Sequence, residues 1–160
     1  MGGGTGSLLA AILRARPDVR GTLVDLPATV ARSSEVFQEA GVAGRVTIVG
    51  QSFFDALPGG MDLYLLKNVL SDWPDQEATA ILRRCAEAAR PSGRVVTFNA
   101  AGPDEEASPD LLMMVLVGGR GRTLDEFREM AHRAGLKVTA VGRQASGRVI
   151  VECRPAGGVA

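Results

Sequence analysis

Gly2, Gly4 and Gly6 stand at alternate positions of the run Met1-Gly2-Gly3-Gly4-Thr5-Gly6, and Asp25 closes the short apolar stretch Gly21-Thr22-Leu23-Val24. About 20 residues separate such a glycine turn from its acid in nucleotide-binding α/β proteins. Glycines so spaced allow positive φ and let backbone N–H groups approach an anion or a ribose with no Cβ in the way. A carboxylate at the tip of the next strand accepts hydrogen bonds from both ribose hydroxyls. Together they point to nucleotide or nucleoside binding. A glycine run alone is equally an ordinary turn, and Asp25 alone is equally a cap for a helix opening after Pro27.

Groups for acid–base or metal chemistry are sparse. The one histidine, His132, falls on a helical segment and reads as a surface or structural residue. Cys85 and Cys153 lie far apart without metal-ligand spacing, and read as reduced core thiols, which favours a cytoplasmic location and no metal. Among 160 residues, 18 basic and 18 acidic side chains balance with no basic run, which argues against nucleic acid. The N-terminus has no secretory leader pattern, and the longest apolar run, Leu111 to Val117, is too short to span a bilayer.

The elements that must position Asp25 follow from periodicity. Ser7, Leu8, Leu9, Ile12 and Leu13 supply a helix after the glycines; strands are expected at Thr22 to Leu26, Arg45 to Val49, Asp62 to Leu66 and Arg94 to Phe98. Ala78, Ile81, Leu82, Cys85, Ala86 and Ala89 form one helical stripe ending near Pro91-Ser92-Gly93. Thr123-Leu124-Asp125-Glu126 has the form of a capping box, with Leu124, Phe127, Met130, Ala131 and Ala134 on one face and Gly135 as the stop. Strands at Lys137 to Val141 and Arg148 to Cys153, joined by Gln144-Ala145-Ser146-Gly147, leave no room for a crossover helix and must be antiparallel. The fold class is therefore α/β: a Rossmann-like, mostly parallel sheet with helices on both faces, ending in an antiparallel hairpin. Residues 1–155 are expected to form one domain, and 156–160 a flexible tail.

GGGTG, Val24-Asp25-Leu26-Pro27, the stretch KNVLSDWPD from Lys67 to Asp75, and DLLMMVLVGGRGRTLDEF from Asp110 to Phe127 occur in this order. With the terminal hairpin, they resemble the catalytic domain of the class I S-adenosylmethionine-dependent small-molecule O-methyltransferases of plants and bacteria. That family methylates caffeate, flavonoid, and polyketide or antibiotic acceptors. The resemblance covers nearly the whole chain.

It implies S-adenosyl-L-methionine as cofactor, with Gly2, Gly4 and Gly6 around its methionine and ribose, Asp25 on the ribose diol, and Leu26 packed on the adenine. Gln51-Ser52-Phe53-Phe54 stands where the family has Gly-Asp-Phe-Phe, so Ser52 replaces an aspartate on the adenine amino group and Phe53 flanks the ring. Lys67 would lie near the cofactor carboxylate, and Trp73 would close the pocket beside the sulfonium. For these four a plainer reading stands beside it: a strand-end turn at Ser52, core packing at Phe53 and Trp73, and a solvated Lys67. Leu112, Met113, Met114 and Leu116 fall on the family's acceptor-facing segment, or form a plain core helix; Asp104-Glu105-Glu106 reads as solvated surface.

The family's base machinery is missing. Its histidine before the Asp-Trp pair is Ser71 here, and its two acids correspond to Asn99 and Gly121. None of the three titrates near neutral pH, so deprotonation by histidine is not expected. Three readings follow. The first is an O-methyltransferase acting on a small aromatic or polyketide-like acceptor by proximity and desolvation, with Ser71 or Asp72 giving only a hydrogen bond. The second is a repurposed cofactor-binding domain, and the third a silent one. An NAD-dependent oxidoreductase would also use the glycine run and Asp25, but the hairpin and Leu70-Ser71-Asp72-Trp73 count against it. Family members carry a first strand just before the glycine turn and a helical N-terminal dimerisation domain. An upstream segment is therefore expected, with a homodimer when that domain is present.

Overall fold

Alternating glycine and a short apolar helix open the chain. A computed structural model describes residues 1–101, 121–144 and 147–157, which divide into two compact units, Met1–Asp55 and Ala56–Ala160.

In the first unit, helix α1 (Ser7–Ala15) places Ala10 and Leu13 one turn apart on its buried face. They join Leu23 of strand β1 (Gly21–Asp25), Val30 of helix α2 (Pro27–Val30), Phe37 of helix α3 (Ser33–Glu39) and Val42 in one apolar core. Burying each of the larger side chains contributes about 1.5–3 kcal/mol. Strand β2 (Val46–Gly50) runs parallel to β1, from Gly21 opposite Val46 to Asp25 opposite Gly50, and α2 and α3 form the crossover that parallel pairing requires.

Two sequence boundaries shift for local reasons. Pro27 at the first position of α2 makes Leu26 the N-cap residue, so β1 stops at Asp25. Arg45 closes the 3₁₀ turn Ala43–Arg45 and β2 begins at Val46, while the Arg45 guanidinium reaches back to α1. It donates to the carbonyls of Leu13 (2.7 Å), Arg16 (2.9 Å) and Val19 (2.9 Å), satisfying groups that the end of α1 leaves open.

The second unit contains β3 (Leu63–Lys67), helix α4 (Asp75–Ala88), β4 (Arg94–Phe98), helix α5 (Leu124–Arg133), β5 (Leu136–Arg143) and β6 (Val149–Pro155). The sheet order is β3-β4-β6-β5, with β3 and β4 parallel and β6 antiparallel to both its neighbours. The expected terminal hairpin is present, and its second strand lies inside the sheet. Its loop residues 145 and 146 lie outside the described residues. Beyond β6, the Ala156 N–H donates to Gly135 O at 2.9 Å.

The α4 stripe is buried at Ala78, Ile81, Leu82, Cys85 and Ala86. Tyr64 on β3 shares its hydroxyl between Pro58 O (2.8 Å) and Ala88 O (2.9 Å), tying the loop before the strand to the end of the helix. Gly93 is required by close approach: a Cβ there would stand 2.6 Å from Met61 O and 2.8 Å from Ala89 O. The capping box is complete, with Glu126 N donating to Thr123 Oγ1 (3.2 Å) and Thr123 N to Glu126 Oε2 (2.8 Å). Gly135, at φ 81°, ends α5, and β5 starts at Leu136. A bulge at Thr139 interrupts the β5–β6 ladder, and the Thr139 hydroxyl reaches Glu152 O across it at 3.3 Å. No helix among the described residues is long and apolar enough to cross a membrane.

Candidate functional site

All three alternate glycines adopt left-handed backbone: Gly2 at φ 57°, Gly4 at 58° and Gly6 at 92°. The first is tied to β1 by a bond from its N–H to Val24 O (3.0 Å). Gly6 is the N-cap of α1, and a Cβ there would collide with the Phe37 ring. Gly4 is different, since a Cβ on it would meet nothing within 4 Å. Its N–H donates to Asp25 Oδ2 at 2.9 Å.

Asp25 is only 9% exposed, and its other oxygen, Oδ1, accepts from Leu26 N at 2.8 Å. It does not cap α2, whose N-terminus has no side-chain cap. An ionised carboxylate offers about four lone-pair sites. Two of them accept from the backbone N–H groups of Gly4 and Leu26, which fix this side chain against the glycine turn. Leu26 beside it is 50% exposed, a bare apolar side chain next to a carboxylate. Past β2, Ser52 Oγ accepts from Phe54 N (3.2 Å), and the Phe53 and Phe54 rings pack with centroids 5.4 Å apart. The turn role weighed for Ser52 is therefore occupied, while Phe53 is half-buried.

In the second unit, the carboxyl ends of β3 and β4 carry Lys67, Asn68 and Asn99. Lys67 is exposed. Asn68 and Asn99 both have positive φ, 54° and 59°, and Asn99 Nδ2 donates to Asn68 Oδ1 at 2.5 Å. Asparagine tolerates this backbone region because its short amide bonds locally. Nothing in the residue types near Asn68 marked it beforehand, since a positive φ is invisible in a sequence.

The segment that follows is a 3₁₀ turn, Leu70–Asp72, and α4 opens two residues after Trp73. The Asp-Trp pair precedes this helix, whose N-cap is Pro74. Ser71 Oγ reaches Asp72 Oδ1 at 3.5 Å, a long contact. Partial burial raises the Asp72 carboxyl above its ordinary range, and Ser71 opposes this only in part. Trp73 is half-buried.

Arg122 is the functional-segment residue that sequence reasoning missed. Its side chain is 1% exposed and holds Asp75 Oδ1 (2.9 Å), Leu70 O (2.7 Å) and Trp73 O (2.7 Å). Gly121 beside it is exposed and has no side chain to titrate. Leu112, Met113, Met114, Leu116 and the acidic loop from Asp104 lie outside the described residues.

Other titratable groups stand apart. His132 is exposed in the last turn of α5. Cys85 and Cys153 are buried free thiols, each pushed up to about 12 by burial, far from a nucleophilic thiolate. A surface groove of about 520 Å³ is lined by Asp75, Gln76, Thr79, Ala80, Arg83 and Arg133. It is an open trough that holds none of the expected site residues, and its one carboxylate, Asp75, is engaged by Arg122.

A left-handed glycine turn leading into a helix, with an acid at the tip of the next strand held against it, defines an α/β protein of the nucleoside-binding class. Within that class, residues 1–137 match the model of the O-methyltransferase domain, and the chain belongs to that family. It is 46% identical over 142 residues to the 2,7-dihydroxy-5-methyl-1-naphthoate 7-O-methyltransferase of Streptomyces carzinostaticus, covering 88% of this chain and 43% of that protein. Over 147 residues it is 40% identical to the aclacinomycin 10-hydroxylase of Streptomyces purpurascens, covering 88% of this chain and 39% of that one. A crystal structure of an O-methyltransferase from neocarzinostatin biosynthesis, in complex with S-adenosyl-L-homocysteine and 1,4-dihydroxy-2-naphthoic acid, superposes with a TM-score of 0.89 at 43% identity. That match covers 96% of this chain and 47% of the other. The chain spans less than half the length of each of these proteins, and its fold is the Rossmann-like fold of the methyltransferases.

Proposed function

We propose that the chain is the cofactor-binding and catalytic part of an S-adenosylmethionine-dependent O-methyltransferase that acts on a small aromatic or polyketide-like acceptor without a histidine base. The observation that carries this reading is the bond from Gly4 N–H to Asp25, made beside a position where a side chain would meet nothing. Such a site fits a nucleoside: the turn is held open, the carboxylate keeps two acceptor positions for a diol, and Leu26 is bare for a flat base.

S-adenosylmethionine, when bound, supplies an electrophilic methyl group on a sulfonium. The work left to the chain is to bind, orient and exclude water. Gly2, Gly4 and Gly6 receive the methionine and ribose, Asp25 the diol, Leu26 and Phe53 the adenine, and Ser52 its amino group. Lys67 would meet the cofactor carboxylate, and Trp73 would stand beside the sulfonium. Ser71 or Asp72 gives the acceptor hydroxyl a hydrogen bond. A phenol with pKa of about 10 is mostly protonated at neutral pH, so an acceptor suited to this chain is one already acidified by ring substituents. Met113 and Met114 are proposed to face it, as adaptable apolar side chains.

A repurposed cofactor domain is the second reading, favoured by two facts: Ser71, Asn99 and Gly121 leave no titratable group where the family keeps three, and a 40% identical relative is an aclacinomycin 10-hydroxylase.

Calorimetric titration with S-adenosyl-L-homocysteine, on the parent and on Asp25→Ala, tests the binding claim. Loss of a charge-assisted contact predicts at least about tenfold weaker binding in the variant. Equal binding by both overturns the assigned site. Methyl transfer to 1,4-dihydroxy-2-naphthoic acid then separates the two readings: methylated product supports the first, and binding without product over a panel of acidified phenols favours the second.

A further inference from the structure

The carbonyls of Leu70 and Trp73 face an awkward stretch of chain. It leaves a 3₁₀ turn, runs extended through Trp73 (φ −125°, ψ 144°) and enters α4 at Asp75 with Pro74 as N-cap. Neither carbonyl has a place in the α4 ladder. Arg122 comes from 47 to 52 residues away in sequence and meets both, with Asp75 as the third acceptor. The three acceptors bracket Ser71 and Asp72 on the chain.

A buried guanidinium is costly to desolvate, and the fork of this one is matched by acceptors in separate directions. A lysine ammonium retains the charge but presents its donors from one nitrogen, so it cannot span the same three groups.

We propose that Arg122 is a positioning residue. It fixes the backbone of Leu70–Asp75 so that Ser71 and Asp72 are presented to the acceptor and Trp73 to the cofactor. The roles of those three side chains rest on the methyltransferase reading; the clamp itself rests on the geometry alone.

Trp73 is the one tryptophan of the chain, so its fluorescence reports this segment directly. The test compares the parent, Arg122→Lys, and Phe127→Leu as a control that loosens the α5 core. Acrylamide quenching of Trp73, urea midpoints and steady-state kinetics are measured on each. Arg122→Lys is expected to raise the quenching constant about twofold or more. In a parent that turns over, it is also expected to lower kcat about tenfold with a smaller change in KM, as misplacement of reacting groups does. Phe127→Leu is expected to lower the urea midpoint and leave quenching as in the parent. Parental quenching in Arg122→Lys overturns the proposal, as does altered quenching with unchanged kcat. If the parent binds no S-adenosyl-L-homocysteine, the methyltransferase reading fails while the quenching comparison still decides the clamp.

Discussion

Asn99 donates its side-chain amide to the side-chain carbonyl of Asn68, and both residues sit in the left-handed region at the carboxyl ends of adjacent parallel strands. Asn99 tolerates this backbone and carries no charge. A glutamate at 99 would meet a conformational cost of about 1–2 kcal/mol, whereas an aspartate suffers less. Restoring a base is therefore best attempted with Ser71→His and Asn99→Asp together, Asn68 turning its amide to donate. The double variant is expected to methylate a simple phenol at least about a hundredfold faster than the parent at neutral pH. Its rate should rise with pH through about 6.5 and then level, while the parent follows the acceptor's own ionisation. A parent-like pH profile in the double variant would show that position 71 does not reach the acceptor.

The glycine turn separates stability from binding. Gly6→Ala combines an unfavourable φ with the Phe37 ring and is expected to cost about 2 kcal/mol or more. Gly4→Ala has room for its Cβ and is expected to cost about 1 kcal/mol in stability. Its added methyl stands where the ligand is proposed to lie, so S-adenosyl-L-homocysteine binding should fall about tenfold. Urea titration and calorimetry on the same two variants check both halves.

Asp72 makes a pH prediction. Burial raises its native pKa above the unfolded value of 3.8, so the native state binds this proton more tightly than the unfolded chain. Stability from this group is therefore fully present below 3.8, and declines as pH rises from there through the native pKa. Asp72→Asn removes the penalty. The variant is expected to be more stable than the parent at neutral pH, with the difference vanishing on acidification to about pH 3. Loss of stability in the variant at neutral pH would mean that the carboxylate is favourably held.

Cys85 and Cys153 predict silence. With both thiols buried and raised to about 12, neither should react with a thiol reagent at about pH 8 while the chain is folded. Both should titrate in denaturant. Rapid labelling of one cysteine under native conditions would reveal local opening of α4 or of β6.

What could be read in advance follows the range of the interactions concerned. Thr123 to Glu126 and Gly135 bracket α5 as expected because a cap is a contact over three residues, and β4 lies where its short β-branched run put it. The left-handed glycines were legible for the same reason. Arg122 was not, since its acceptors are two main-chain carbonyls and a carboxylate about fifty residues upstream, and an arginine between Gly121 and Thr123 reads as a loop cation. Ser52 and Trp73 show the limit from the other side: residue type permitted a turn or a ligand contact at Ser52 and core packing or a pocket wall at Trp73, and a sequence does not choose between them.

The bulge at Thr139 bears on solution behaviour. β5 is the outer strand of its sheet, and a regular outer ladder is a template on which another chain can add. Here the ladder is broken at Thr139, whose hydroxyl is turned inward to Glu152, and Lys137 and Arg143 sit exposed on either side. A second molecule approaching this margin meets an interrupted row of amides and two cations, so the sheet limits its own growth on that side, and clumping of the protein through β5 is discouraged without any need for a covering partner.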